Sequence, residues 1–279
     1  DLTVPKGAIH ALVLASQWGA KRKAWKDEHP DCRPLPLPED TWAIAQTIRD
    51  YAPKIKNRLY RAQALEIATL LAVMAIVPPR RASISAARIG RQYYERGLTA
   101  FYQDEKHCWW LYICRADSKN KEAQHLPLDG LISEYLDAWV NKERGLIFQP
   151  LEDPRQDEGF MFPSIKTGGR IAPITLGEAV KRWTYRASGG QVCYSIHTFR
   201  HGMATAIYEE AVDIAGTVGV RDNAARLAAP QLQHRSVDTT EQYYAKLETK
   251  TAARAAQKLI RHRIERRHGP LGRWERRLN

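Results

Sequence analysis

Six positions carry side chains whose types suit one reaction. They are Arg80 in PPRRASISAAR, Lys119 in SKNKEAQHLPL, His197 and Arg200 in HTFRHGMAT, and His234 and Tyr243 in QLQHRSVDTTEQYY. Breaking a phosphodiester by attack of a side-chain hydroxyl needs a nucleophile, and tyrosine can supply one. Its hydroxyl ionises only near pH ~10, so it needs help to lose its proton at neutral pH. Attack concentrates negative charge on the non-bridging oxygens, which two planar guanidinium groups can grip with bidentate forks. The departing sugar oxygen needs a proton, which a lysine on a hairpin can give. Histidines can hydrogen-bond the phosphate or handle the tyrosine proton. Arginines that supply the positive charge make a metal or other cofactor unnecessary, and none is expected.

Each of these residues alone has an ordinary structural explanation. An arginine after two prolines is commonly a charge at a helix start, a lysine in a polar turn is commonly solvated, and a histidine on a helix or a tyrosine pair is commonly packing. Only the set points to chemistry.

The elements that must position the set follow from local patterning. A helix is expected over about Ile9 to Glu28, with Leu12, Val13 and Trp18 on one side. The alternating prolines of Arg33 to Pro38 favour a stiff linker and mark the best domain boundary. The acidic pair Glu39-Asp40 suits a helix N-terminus, with Trp42, Ile44, Ala45 and Ile48 following. A second helix is expected from about Leu59 to Ile76, ending before Pro78-Pro79, and a third from Arg80 to about Arg91. The aromatic and β-branched run between Cys108 and Cys114 argues for a strand, and HLPL resumes an extended pattern. The two form a β-hairpin whose tip carries Lys119. Leu131 to Val140 reads as helix, Asn141 to Gly159 as loop, and Leu176 onward as helices. The expected class is mainly α with a small antiparallel β-sheet, an α+β fold. The expected organisation is an N-terminal helix with a Pro-rich linker (1–38), a catalytic domain (39–248) and a basic helical tail (249–279).

In order and wording, these residues resemble the tyrosine recombinases, also called the phage integrase family. HRSVDTTEQYY is similar to that family's "GHSSISTTQIY", with the histidine nine residues before the nucleophile, a spacing that selects Tyr243 over Tyr244. HTFRHGMAT is similar to "HDLRHTFAT", including His201. The family pattern "GLRISELLALRW" fits Arg80 better than Arg81, because it places Ile84 and Arg88 correctly, although Ser85 is not apolar. Lys119 lies eight residues before Pro127, as the family's hairpin lysine does before its "VPL", and Lys121 is the reserve. FMFPSIKTGGRIAPITLGEAVKRW also resembles the family segment before His-x-x-Arg. The likeness covers roughly Pro38 to Leu247. Ser83 stands where the family usually has Glu, Gln233 replaces a Gly, and AGTVGVRDNAARLAAP lengthens the gap between Arg200 and His234.

The resemblance implies a recombinase-like catalytic fold. It also implies a site-specific DNA recombinase or integrase that cleaves and rejoins strands through a covalent 3′-phosphotyrosyl intermediate at Tyr243. Its catalytic residues would be Arg80, Lys119, His197, Arg200, His234 and Tyr243. Double-stranded DNA would be the partner, with protomers assembling on it as a homo-oligomer, a tetramer. The competing readings are a type IB topoisomerase-like relaxing enzyme and an integrase-like DNA-binding module without catalysis. Residues 1 to about 32 are too few for the N-terminal helical domain that commonly completes the family's clamp around DNA, so they are expected to be its last helix or a remnant.

Charge agrees with a polyanionic partner in part. The net charge is +12, and each Lys or Arg set against a phosphate releases condensed counterions. From Lys250 to Asn279 there are ten Lys or Arg against two Glu, leaving only about four net charges elsewhere. Ala256, Leu259, Ile260 and Ile264 form a narrow apolar stripe in that tail. The stripe is expected to dock on this protomer or a neighbour, with the arginine-rich face meeting DNA. The four cysteines, Cys32, Cys108, Cys114 and Cys193, are scattered without a CxxC pair, which favours reduced thiols over a disulfide framework or zinc site. No signal peptide is visible, and the longest apolar run, Ile67 to Val77, is too short for a membrane span. A cytoplasmic location, associated with the nucleoid in a bacterium, is expected.

Overall fold

The first described helix starts where Leu37-Pro38-Glu39-Asp40 says it should. Proline suits the first helical position because its missing N–H has no partner there anyway, and the acidic pair meets the positive end of the helix dipole. This helix, α1, spans Pro38–Tyr51 and buries Trp42, Ile44, Ala45 and Ile48. The computed structural model describes residues 36–118, 121–148, 157–215 and 256–266, all within one compact unit that begins at Pro36. The expected helix at Ile9 to Glu28 lies outside the described residues.

Helix α2, Arg58–Ile76, begins on Asn57, whose side chain accepts a hydrogen bond from the Tyr60 amide at 3.0 Å. From Ala62 to Ile76 every residue is buried. A helix buried on all sides lies at the centre of the protein, and α1, the later helices and the segment 139–148 pack around it. At 19 residues it is longer than the apolar run seen in the sequence. By length and composition it could cross a bilayer, but 83% of its apolar window is buried inside the protein. Pro78-Pro79 then ends helical structure.

The next segment departs from expectation. The helix expected from Arg80 to Arg91 is three short elements: α3 (Arg81–Ala86), β1 (Arg88–Ile89) and α4 (Arg91–Glu95). Long-range pairing overrides the local helical pattern here. The Arg88, Ile89 and Gly90 amides donate to the carbonyls of Thr99, Gly159 and Phe101 at 2.8–2.9 Å. Gly90 takes φ 118°, a value that favours glycine and breaks a helix.

Strands β2 (Ala100–Gln103), β3 (Trp109–Ile113) and β4 (Gln124–Pro127) complete a four-stranded sheet in the order β1-β2-β3-β4. Leu111 of β3 pairs with Phe101 on one side and Leu126 on the other, both antiparallel. β1 pairs with β2 in parallel, so the sheet is mixed rather than antiparallel as expected. Two residues of edge strand make the difference, too few to show a period of their own. β3 alternates as a half-buried strand must. Trp109, Leu111 and Ile113 face the core, while Trp110 and Tyr112 join Tyr94, Tyr102 and His125 in an aromatic cluster on the other face.

Past β4 the expected helix at Leu131 to Val140 is a 3₁₀ turn, the helix α5 (Ser133–Ala138) and a π-helical turn (Trp139–Glu143). A short helix, α6 (Gly145–Phe148), replaces part of the loop expected from Asn141. Trp139 is fully buried, with its indole N–H on the Met161 carbonyl at 2.8 Å. Helices α7 (Pro173–Ala187) and α8 (Ile196–Ala215) follow. About 60% of the structure is helical, so the class is mainly α with a small sheet.

The tail contributes a described helix, α9, at 256–266. Ala256, Ile260 and Ile264 are buried, and Leu259 is partly so. The stripe therefore docks on its own chain. Two arginines of α9 are engaged within the chain: Arg263 makes a buried bidentate ion pair with Glu39, and Arg261 pairs with Asp129. Gln257 donates to the Pro127 carbonyl at 2.8 Å.

Candidate functional site

Helix α8 and the Pro78-Pro79-Arg80 segment meet to form the site. Ser195 and Thr198 begin α8: the Thr198 hydroxyl donates to the Ser195 carbonyl at 2.7 Å and accepts from its amide at 3.2 Å. His197, Arg200 and His201 then stand three and four residues apart, the spacing of neighbours on one helix face. The His197 and His201 rings are edge to face at 4.9 Å, with their Nε2 atoms 3.2 Å apart.

Arg200 is buried, at 6% exposure. Its Nη1 donates to the Pro78 carbonyl at 2.8 Å, which ties α8 to the segment carrying Arg80 across 122 positions of chain. Its Nη2 is also buried but has no hydrogen-bond partner among the described residues. Gly202 makes the close approach of α8 possible: a Cβ there would lie 2.1 Å from the Pro36 carbonyl oxygen.

Arg80 holds the N-cap position of α3 in extended backbone and is near enough for its charge to act on both partners. Burial, and then the Arg80 charge, lower the Arg200 pKa to about 10. Burial lowers the pKa of Arg80 itself. His197 is held below its ordinary value by desolvation first, then by His201, Arg200 and Arg80. At neutral pH the cluster thus holds two charged guanidiniums that repel each other beside a neutral imidazole. An anion at this cluster would offset the two like charges and give Nη2 of Arg200 an acceptor.

Of the six residues singled out in the sequence, Arg80, His197 and Arg200 come together. Lys119, His234 and Tyr243 lie outside the described residues. Arg81, the alternative first arginine, is exposed and packs against Gly177 of α7. Lys121, the reserve lysine, is exposed, with φ 57° and its amide on the Ser118 carbonyl. Ser83 is buried and donates to the Asp117 carbonyl at 2.8 Å. Sequence reasoning missed the Pro78 carbonyl and Gly202. An isolated glycine within a helical pattern was the signal that could have found the second.

No protein-family model, no curated protein and no solved structure matches the chain.

Proposed function

We propose that the chain is a DNA strand-exchange enzyme of the tyrosine recombinase kind, with a catalytic domain of that family's fold. The observation that carries this reading is the convergence of Arg80 and Arg200, like charges from distant segments of the chain, beside His197 and around an unpartnered buried Nη2. A phosphodiester oxygen would give the buried Nη2 of Arg200 an acceptor, and its negative charge would offset the two guanidiniums.

In this reading the two arginines grip the non-bridging oxygens of one DNA phosphate. The Tyr243 hydroxyl attacks phosphorus, the bond to the 5′ oxygen breaks, and that oxygen leaves with a proton from Lys119. His197 and His234 hydrogen-bond the phosphate or take the tyrosine proton. The 3′-phosphotyrosyl bond stores the energy of the broken ester, so a 5′-hydroxyl from a partner strand can reverse the reaction and complete exchange. No cofactor takes part. Double-stranded DNA is the partner, and two sites held by four protomers make the exchange reciprocal.

The test is covalent trapping. The protein is incubated with a pool of nicked duplexes of randomised sequence, denatured, and DNA bound to protein is recovered. The unsubstituted protein and Tyr244→Phe should yield adducts, whereas Tyr243→Phe should yield none while still binding DNA. Adducts from Tyr243→Phe, or none from the unsubstituted protein, overturn the proposal. A requirement for two sites distinguishes recombination from supercoil relaxation.

A further inference from the structure

His201 has no part in the reaction proposed above, yet it touches a residue that does. His197 and His201 are one turn apart on α8, with their Nε2 atoms 3.2 Å apart and their rings edge to face. A neutral imidazole carries one N–H, so one ring donates in this contact and the other accepts. With Nε2 of His197 taken up by His201, Nδ1 is the ring nitrogen left to meet an anion at Arg80 and Arg200.

Which ring donates decides what His197 can do there. If His197 donates to His201, its Nδ1 is a bare lone pair, which a phosphate oxygen repels. If His201 donates to His197, the His197 proton sits on Nδ1, and the ring becomes a hydrogen-bond donor toward phosphate. The third arrangement is an imidazolium at His197 with both nitrogens protonated. Desolvation disfavours it, and then the charges of His201, Arg200 and Arg80. A neutral His197 therefore donates from Nδ1 only when a partner donates to its Nε2, and His201 stands at that place. His201 is exposed, so water can satisfy its own Nδ1.

We propose that His201 is a positioning residue: it donates from Nε2 to His197 and so holds the His197 proton on Nδ1, where it meets a phosphate oxygen. This rests on the strand-cleavage reading above, which puts a phosphate at Arg80 and Arg200. His201 does not touch that phosphate and acts through His197.

The test reads the tautomer directly. The full chain, labelled with ¹⁵N in its histidine rings, is titrated with inorganic phosphate at pH ~7.5, about one unit above the ordinary histidine value. The ring nitrogen shifts tell a protonated nitrogen from a bare one. With phosphate bound, His197 should carry its proton on Nδ1. His201→Phe keeps an aromatic neighbour but has no N–H to donate. In that variant His197 should move its proton to Nε2, and phosphate should bind roughly tenfold or more weakly, the usual worth of a hydrogen bond to a charged group. The side-chain amide of His201→Gln can reach the place of Nε2 and should restore both the tautomer and the affinity. A proton on Nε2 of His197 in the phosphate-bound unsubstituted protein overturns the positioning role, as does an unchanged tautomer in His201→Phe. Equal loss in the Phe and Gln variants also overturns it, since that would report the packing of the ring and not its proton. Phosphate that leaves the His197 signals of the unsubstituted protein unmoved overturns the reading of the cluster as a phosphate site instead.

Discussion

In the proposed function Arg200 does two things with one guanidinium: Nη1 holds the Pro78 carbonyl, and Nη2, without a hydrogen-bond partner among the described residues, takes the anion. A lysine has no planar fork and cannot do both. Arg200→Lys should therefore lose most activity, and Arg200→Ala should lower cleavage by about 10²–10³-fold, the usual effect of removing one donor aimed at developing charge. DNA binding should weaken far less. The neighbouring histidine reports on the same cradle. His197 should titrate below about 6.5 by NMR, and an anion between the arginines should raise its pKa. By linkage, phosphate should then bind more tightly as pH falls through that transition. Because its folded pKa is depressed, any stability that neutral His197 contributes is present above pH ~6.5 and declines as pH falls toward the folded value. A His197 titration unmoved by inorganic phosphate or nicked DNA would remove the cradle from the account. The grouping of Arg80, His197 and Arg200 was legible from residue type and spacing. The Pro78 carbonyl was not, because every residue has a carbonyl and only the fold selects one.

Among the elements, α8 depends on its approach to Pro36. The neighbouring atom is a backbone carbonyl, which cannot move aside as a flexible side chain would. Gly202→Ala should destabilise the protein by about 1–3 kcal/mol, as overpacking does, and should reduce cleavage together with stability because Arg200 and His197 ride on the same helix. Unchanged melting and activity would contradict that placement. Helix α9 makes a different prediction. Arg263 and Glu39 form a buried ion pair 224 positions apart in the chain, and removing one partner strands the other charge. Arg263→Leu should cost about 3–5 kcal/mol, and adding Glu39→Met should restore much of it. Additive losses in that double-mutant cycle would show that the pair is not coupled. The long helices and the β3–β4 hairpin were legible from patterning. The parallel edge strand β1 was not, since it arises from bonds to partners distant in sequence, such as Gly159, rather than from local preference.

For the whole molecule, charge carried less information than its sum suggested. Arg261 and Arg263 are spent inside the fold, on Asp129 and Glu39. Only part of the surplus in the tail is left for a polyanion. Residues 267–279 hold four more arginines, Arg267, Arg273, Arg276 and Arg277. A truncation after Arg266 removes them. If they bind phosphates, the slope of log K against log salt should flatten by about 0.9 for each phosphate no longer neutralised. An unchanged slope would assign DNA attraction to the rest of the chain.

Mapping the covalent adduct identifies the nucleophile. Protein trapped on the nicked duplexes is digested with nuclease and trypsin, and the peptide spanning residues 236–246 is sequenced by mass spectrometry. A nucleotide remnant should be joined through phosphate to Tyr243. A remnant on Tyr244 or on any other residue, or cut DNA with no protein attached, would contradict it.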